Sequence, residues 1–299
     1  MMTELPLEQV RTLLAVVDEG TFDAAAAALH LTPSAVSQRV KALERRTGRV
    51  LLMRTKPVRP TESGEVVVRF ARQVARLERD AAAELGLSGA GEPTRVSVAV
   101  NADSLATWFL EALTRVPPQP RLCFELRRED EAHTAALLRE GLVMAAVTSS
   151  PEPVPGCSVR ALGRMPYVPV ARPDFAARHL DGPLREVLAE APVVVFDRRD
   201  DFQDAFVRAL RGGADGASAV RHHVPTSEGF VDAVAAGLGW GMVPEAQAAP
   251  LLRAGRLTRL TPDRTVEVPL YWQQWRLDSP ALAALAHAVA ATAARSLRP

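Results

Sequence analysis

A threonine followed by a proline at positions 32 and 33 fixes where one helix has to begin. Thr32 supplies an N-cap oxygen, and Pro33 fits the first turn because the N–H it lacks would have had no intrahelical partner there. From Pro33 the spacing predicts a helix to about Thr47, ended by Gly48, with Val36, Val40 and Leu43 as its apolar stripe. The opposite face presents Ser34, Ser37, Gln38 and Lys41 at i, i+3, i+4 and i+7. Short hydroxyls and an amide in that order suit hydrogen bonding to base edges in a major groove. Upstream, Leu7, Val10, Leu14 and Val17 recur at helical spacing as far as Gly20, and Ala24 to Leu29 predicts a second, Ala-rich helix. The three together have the spacing of a helix–turn–helix.

Charge supports that reading locally, not globally. The 299-residue chain carries 36 Lys and Arg against 35 Asp and Glu, so the total implies neither a basic coat nor an acidic tail. Residues 1–38 hold one base and five acids, whereas residues 39–59 hold eight bases and one acid. A solvated basic face would show the same charges, but beside a helix–turn–helix the switch is the footprint of a phosphate-binding surface. Val50 to Thr55 and Pro57 to Pro60 predict a short strand pair, a wing with Lys56 and Arg59 at its tip. The DNA-binding candidates are therefore Thr32, Pro33, Ser34, Ser37, Gln38, Lys41 and Arg45 on the helix, with Arg54, Lys56 and Arg59 assigned to the DNA backbone.

A long helix is predicted from Thr61 to about Leu85. Val67, Phe70, Val74, Leu77 and Ala81 repeat at 3, 4, 3 and 4, the seam of a coiled coil, which predicts a homodimer presenting two recognition helices to a two-fold DNA site. Gly86 to Glu92 reads as a linker. Beyond it, strand and helix patterns alternate, from a strand at Val96 to Val100 to a last helix at Pro280 to about Ser296, and predict parallel α/β sheets in two facing lobes. The expected organisation is a winged helix–turn–helix over 1–60, a dimerising helix and hinge over 61–92, and an α/β domain over 93–299 whose lobes are 93–163 with 264–299, and 164–263.

The run L-T-P-S-A-V-S-Q-R-V-K-A-L-E-x-x-x-G (Leu31 to Gly48), the wing ending P-T-E-S-G (Pro60 to Gly64) and the long helix resemble the DNA-binding half of the LysR-type transcriptional regulators. Two further segments, A-V-N-A-D-S-L-A-T-W-F-L (Ala99 to Leu110) and G-L-G-W-G-M-V-P-E (Gly237 to Glu245), are similar to its lysine/arginine-responsive ArgP/LysG branch. The resemblance implies a two-lobed periplasmic-binding-protein-like fold for the second half, a small-molecule effector between the lobes, and a tetramer built as a dimer of dimers on promoter DNA, with RNA polymerase as a further contact.

Ligands of such sheets bind where helices start at the carboxyl ends of strands. That places Asn101, Asp103, Ser104 and Thr107 after the first strand, Thr148 after the third, Asp197, Asp200 and Asp201 in the second lobe, and Thr226 and Glu228 one strand later. Helix N-termini on one wall would hold an α-carboxylate, and acids on the other would complement the extra cation of lysine or arginine. The same residues also suit simpler roles: Asp200 and Asp201 as first-turn acids, Thr226 and Ser227 as caps. Trp108 and Trp240 are expected to pack beside the cleft. The remaining function classes find little in the chain. No G-x-S-x-G, H-E-x-x-H or nucleotide-binding glycine motif is present, no cofactor is called for, and His222-His223 would point to opposite faces of a strand and share no metal. A solute-binding protein would have no use for the wing. Two cysteines 34 positions apart, and a start without a cationic or apolar targeting segment, predict a cytoplasmic protein without membrane contact.

Overall fold

The structure, a computed structural model, describes residues 4–87, 93–119, 121–128, 131–213 and 216–299, the side chains of 131–133 excepted. The head opens with α1 (Leu7–Glu19), α2 (Phe22–Ala28) and α3 (Pro33–Thr47). Thr21 and Thr32 cap the second and third of these, their hydroxyl oxygens accepting from Ala24 N at 3.1 Å and Ala35 N at 3.2 Å. Val36, Val40 and Leu43 pack with Val10, Leu13 and Val16 of α1 and Ala25 and Ala26 of α2 in one small core. The wing is the antiparallel pair β1 (Leu52–Met53) and β2 (Arg59–Pro60). Thr61 then caps α4 (Glu62–Glu84), accepting from Gly64 N while its hydroxyl donates to Val50 O at 2.7 Å. A Cβ on Gly64 would lie 1.9 Å from the Leu51 carbonyl oxygen, so the close seat of α4 on the wing requires glycine there.

On α4 the structure corrects one residue of the expected seam. Val67 turns inward with Val68 and Ala71 into the core of the head and is only 6% exposed. The outward apolar line runs instead through Val66, Phe70, half-buried Val74, Leu77 and Ala81. Of the predicted linker at Gly86 to Glu92, residues 88–92 lie outside the described residues, as do residues 1–3.

The second half builds β3 (Thr94–Val100), α5 (Ala102–Ser104) running through a π-helical turn at Leu105–Phe109 into α6 (Leu110–Thr114), β4 (Leu122–Arg128), α7 (Glu131–Arg139) and β5 (Ala145–Thr148). The long strand β6 (Cys157–Ala171) crosses to the second lobe, formed by α8 (Pro173–His179), α9 (Leu184–Val187), β7 (Val193–Val195), α10 (Phe202–Arg211), β8 (Arg221–His223), α11 (Ser227–Ala236), β9 (Gly241–Pro244), α12 (Glu245–Arg253) and β10 (Thr258–Arg259). Strand β11 (Val266–Trp275) returns, and α13 (Pro280–Ser296) closes the first lobe. The sheets differ from the all-parallel expectation. β3 pairs parallel with β4 and β5, and β7 with β8, but β6 and β11 pair antiparallel along their length. One seven-stranded sheet, in the order β10-β6-β11-β5-β3-β4 with β9 beside β6, therefore runs through both lobes, and β6 and β11 cross between them as an antiparallel pair. The core of the first lobe buries Trp108, Phe109, Leu138, Trp272 and Leu285, and the second buries Phe206 beside Trp240.

Three arginines on α4 fasten the head to the first lobe. Arg69 donates to Arg139 O at 3.1 Å and Arg72 to Glu140 O at 2.7 Å, so both guanidinium groups sit at the carbonyl end of α7, where the helix dipole favours cations. Gly141, at φ +73°, leaves room for α4, since a Cβ there would meet Arg69 Cα at 3.1 Å. Arg76, 2% exposed, donates to Arg95 O and Ser279 Oγ and pairs with Asp80 at 2.9 Å. Arg72 also reaches Asp18 of α1 at 2.5 Å, joining three parts of the molecule in one side chain.

Candidate functional site

The polar face of α3 is turned outward, away from the small core of the head. Ser34, Gln38, Lys41 and Arg45 are exposed opposite the Val36, Val40 and Leu43 stripe, Ser37 is half-buried beside them, and Thr32 and Pro33 are exposed at the start of the helix. Lys56 and Arg59 are exposed on the wing. Arg54 is exposed as well, yet its guanidinium lies over the Phe22 ring, 5.7 Å from the centroid, which ties the wing to α2.

The cleft between the lobes holds a cavity of about 700 Å³. Of the ten residues proposed from the sequence, Asn101, Asp103, Asp197, Asp200 and Asp201 line it. The other five do not. Ser104, the last residue of α5, is fully buried, Thr107 donates its hydroxyl to Asp103 O at 2.6 Å, and buried Thr148 accepts from Ser150 N. Thr226 caps α11 by accepting from Gly229 N, and Glu228 is exposed on the same turn. These five obey the strand-end rule in sequence, but local hydrogen bonding or the turn of the helix aims them elsewhere. Trp108 and Trp240 are buried packing residues, as expected.

Asp103 lines the cleft and is hydrogen-bonded on both oxygens. Its Oδ2 accepts from the Tyr167 hydroxyl at 2.7 Å, and its Oδ1 from Ser227 Oγ at 2.6 Å. Asp200 accepts from Phe196 N at 2.8 Å and Phe202 N at 3.0 Å, which shapes the turn into α10. Burial pushes the Asp200 carboxyl above its ordinary value, with Asp197 and Asp103 adding to the rise and the two backbone donors opposing it. Asp201 pairs with Arg208 at 2.8 Å and so lies at the rim. Helix α10 is held from behind by Asp204, which binds Arg221 through two 2.7 Å hydrogen bonds and also accepts from Ala217 N. The Arg221 guanidinium holds the Asp204 carboxyl below its usual range.

Lining residues that sequence reading missed include Arg128, Tyr167, Arg199, Gln203 and Met242. Arg128 ends β4, so the strand-end rule reaches it, whereas Tyr167 sits within a crossing strand and nothing local marks it. Gln203 is 2% exposed and its Oε1 has no donor among the described residues, and the Asn101 Oδ1 is also orphaned. Buried amide oxygens without partners cost about 1–3 kcal/mol each, which is tolerated where a ligand supplies the donor.

Residues 7–65 match the bacterial regulatory helix-turn-helix protein of the lysR family, and residues 89–294 match the LysR substrate binding domain. The chain belongs to the LysR family. As a member it is a DNA-binding transcriptional regulator, not an enzyme, and its cleft lies within the substrate-binding domain. It is 48% identical to the HTH-type transcriptional regulator LysG of Mycobacterium tuberculosis over 286 residues, 95% of this chain and 92% of the relative. Two solved LysR-family structures superpose closely. ArgP from Mycobacterium tuberculosis has 47% identity and a TM-score of 0.90, covering 97% of this chain and 98% of its own. Full-length LysG from Corynebacterium glutamicum, with arginine as bound effector, has 43% identity and a TM-score of 0.87, covering 98% and 100%. Among the described residues of this LysR-family chain, no helix is long and apolar enough to cross a membrane.

Proposed function

We propose that the cleft binds lysine or arginine and that its occupancy changes how paired heads engage promoter DNA. One observation carries the effector class: the cavity walls hold four carboxylates, of Asp103, Asp197, Asp200 and Asp201, against two guanidinium groups, of Arg128 and Arg199, and after Asp201 is matched to Arg208 at the rim one acid remains in excess. A basic amino acid has two cationic groups and one carboxylate, a net charge of one that matches this excess as no neutral amino acid does. Arg128, or the N–H groups opening α5, suits its carboxylate, and the Asn101 and Gln203 oxygens accept from its N–H groups. The names of the relatives, a lysine export regulator in Corynebacterium glutamicum and an arginine-bound LysG from the same organism, agree with this reading.

The rest of the mechanism follows from the two-part chain. The exposed line Val66, Phe70, Val74, Leu77 and Ala81 pairs with the same line on a second copy, and effector domains join such dimers into a tetramer. Ligand favours one lobe arrangement, and the arginine fastening of α4 to α7 passes the difference to the spacing of the heads. The regulator works in the cytoplasm on genes of amino-acid export or metabolism, with RNA polymerase as the responding partner. A thermal-shift screen of the full chain tests the effector class: arginine or lysine at about 100 times its Kd stabilises by about 2.7 kcal/mol, while citrulline and norleucine, which lack the side-chain cation, leave the melting point unchanged. Equal shifts with the neutral analogues, or a shift with an unrelated metabolite alone, would overturn it.

A further inference from the structure

Asp103 belongs to the first lobe, yet both of its oxygens are bonded to hydroxyls held by the second. Tyr167 lies on the half of β6 that pairs with β9, and its ring packs edge-on against Phe202 at the start of α10, 4.9 Å between centroids. Ser227 is the first residue of α11 and is buried. The two contacts, 2.7 and 2.6 Å, are hydroxyl-to-carboxylate hydrogen bonds of the short, charge-assisted kind. A serine hydroxyl has a single proton, and two acceptors face it: Asp103 Oδ1 at 2.6 Å and Gln247 Oε1 at 3.1 Å. The shorter contact, to a carboxylate, takes the proton, and turning the Gln247 amide over would offer its NH2 to Ser227 Oγ in place of the second acceptor.

We infer that Asp103, Tyr167 and Ser227 form an interlobe latch in which the two hydroxyls position Asp103 as the anchor for the side-chain cation of the ligand. The inference rests on the reading of the cleft as a basic-amino-acid site. An ionised carboxylate offers about four lone-pair positions. Tyr167 and Ser227 take one on each oxygen, and the remaining two are left for N–H donors, so cation binding and lobe closure share one group. Tyr167 and Ser227 act through Asp103 and are positioning residues. Each contributes affinity only while the carboxylate is there to be positioned, a dependence that ordinary packing roles do not have.

Double-mutant cycles on the full chain test this with two readouts, the melting temperature without added ligand and the affinity for arginine by calorimetry. Tyr167→Phe and Ser227→Ala are each expected to lower the melting temperature by about 2–6 °C and arginine affinity by about 3- to 30-fold. In the Asp103→Asn background neither is expected to add a further loss in either readout. Losses of equal size with and without Asp103, or no loss in Tyr167→Phe, which removes only an oxygen atom, would overturn the latch. If the parent chain binds neither arginine nor lysine, the effector reading falls, and the melting-temperature cycle still decides the latch. If Asp103→Asn does not fold, the Tyr167→Phe result alone decides it.

Discussion

In the head, every residue of the recognition face lies between Thr32 and Lys41 or one turn further at Arg45, whereas the cleft draws its walls from positions between 101 and 268. The first surface is made by one helix, so its geometry is fixed by 3.6-residue periodicity and a cap. The second is made by two lobes meeting, and residues adjacent in sequence part company there: Asp103 enters the cavity while Ser104 turns into the core. A local surface can change residue by residue. A surface between lobes responds to whatever moves the lobes, and that property is what makes it suitable for sensing.

The sharpest way to break this division is to cut the link between the two parts. Arg76→Ala removes a buried cation and leaves Asp80, the Arg95 carbonyl and Ser279 without their partner, with an expected loss of about 3–5 kcal/mol in unfolding free energy by urea titration; a loss below about 1 kcal/mol would show that the parts hold together by other means. Gly64→Ala perturbs the head alone. It forces the Leu51 carbonyl or α4 to move, at about 1–3 kcal/mol, and is expected to weaken DNA binding while leaving arginine affinity as it was, both read on one protein preparation. Within the head, Gln38→Ala is expected to cost about 1–3 kcal/mol at the cognate site with little change on random DNA, and Arg59→Ala to weaken both alike and lower the salt slope by about one. Equal losses for the two variants on both DNAs would erase the distinction between base reading and phosphate contact.

The smallest effect belongs to the cleft and to pH. Burial raises the Asp200 carboxyl, so as pH falls it takes up its proton before an ordinary carboxylate would, and an entering cation must expel that proton. Affinity for arginine is therefore expected to rise with pH, by at most tenfold per unit, and to level off once the raised titration is passed, with proton release visible by calorimetry in buffers of different ionisation heat. Asp204 runs the other way for stability. Its carboxyl is held low by Arg221, so its contribution is full above the ordinary carboxylate value and drains away as pH falls through the lowered one, and Asp204→Asn is expected to flatten that acid limb.

The contrast also explains what could be read beforehand. Pro33 to Thr47, the wing and the start of α4 follow from caps, periodicity and turn chemistry, all of them local signals. Val67 was misplaced because a 3.5-residue repeat gives a stripe without saying which edge the head will cover, and the small core took that edge. The long antiparallel pairing of β6 with β11 has no local signal, since strand pattern carries no partner and alternation of strands with helices implies parallel neighbours throughout. In the cleft, Asp103 and Asp200 were found by the rule of strand ends, while Tyr167 and Gln203 owe their places to the meeting of lobes and gave no local sign. Their chemistry becomes visible only when an orphaned oxygen or a cross-lobe hydrogen bond is seen.

Whether an occupied cleft alters how the heads hold DNA is decided by DNA bend angle and footprint on a cognate promoter with and without saturating arginine or lysine, in the parent chain and in Asp103→Asn. A shift in both quantities with either amino acid, absent in Asp103→Asn although that protein still binds the DNA, is the predicted result. An unchanged bend and footprint at full occupancy, with binding of the amino acid verified by calorimetry, would mean that the cleft and the heads are uncoupled.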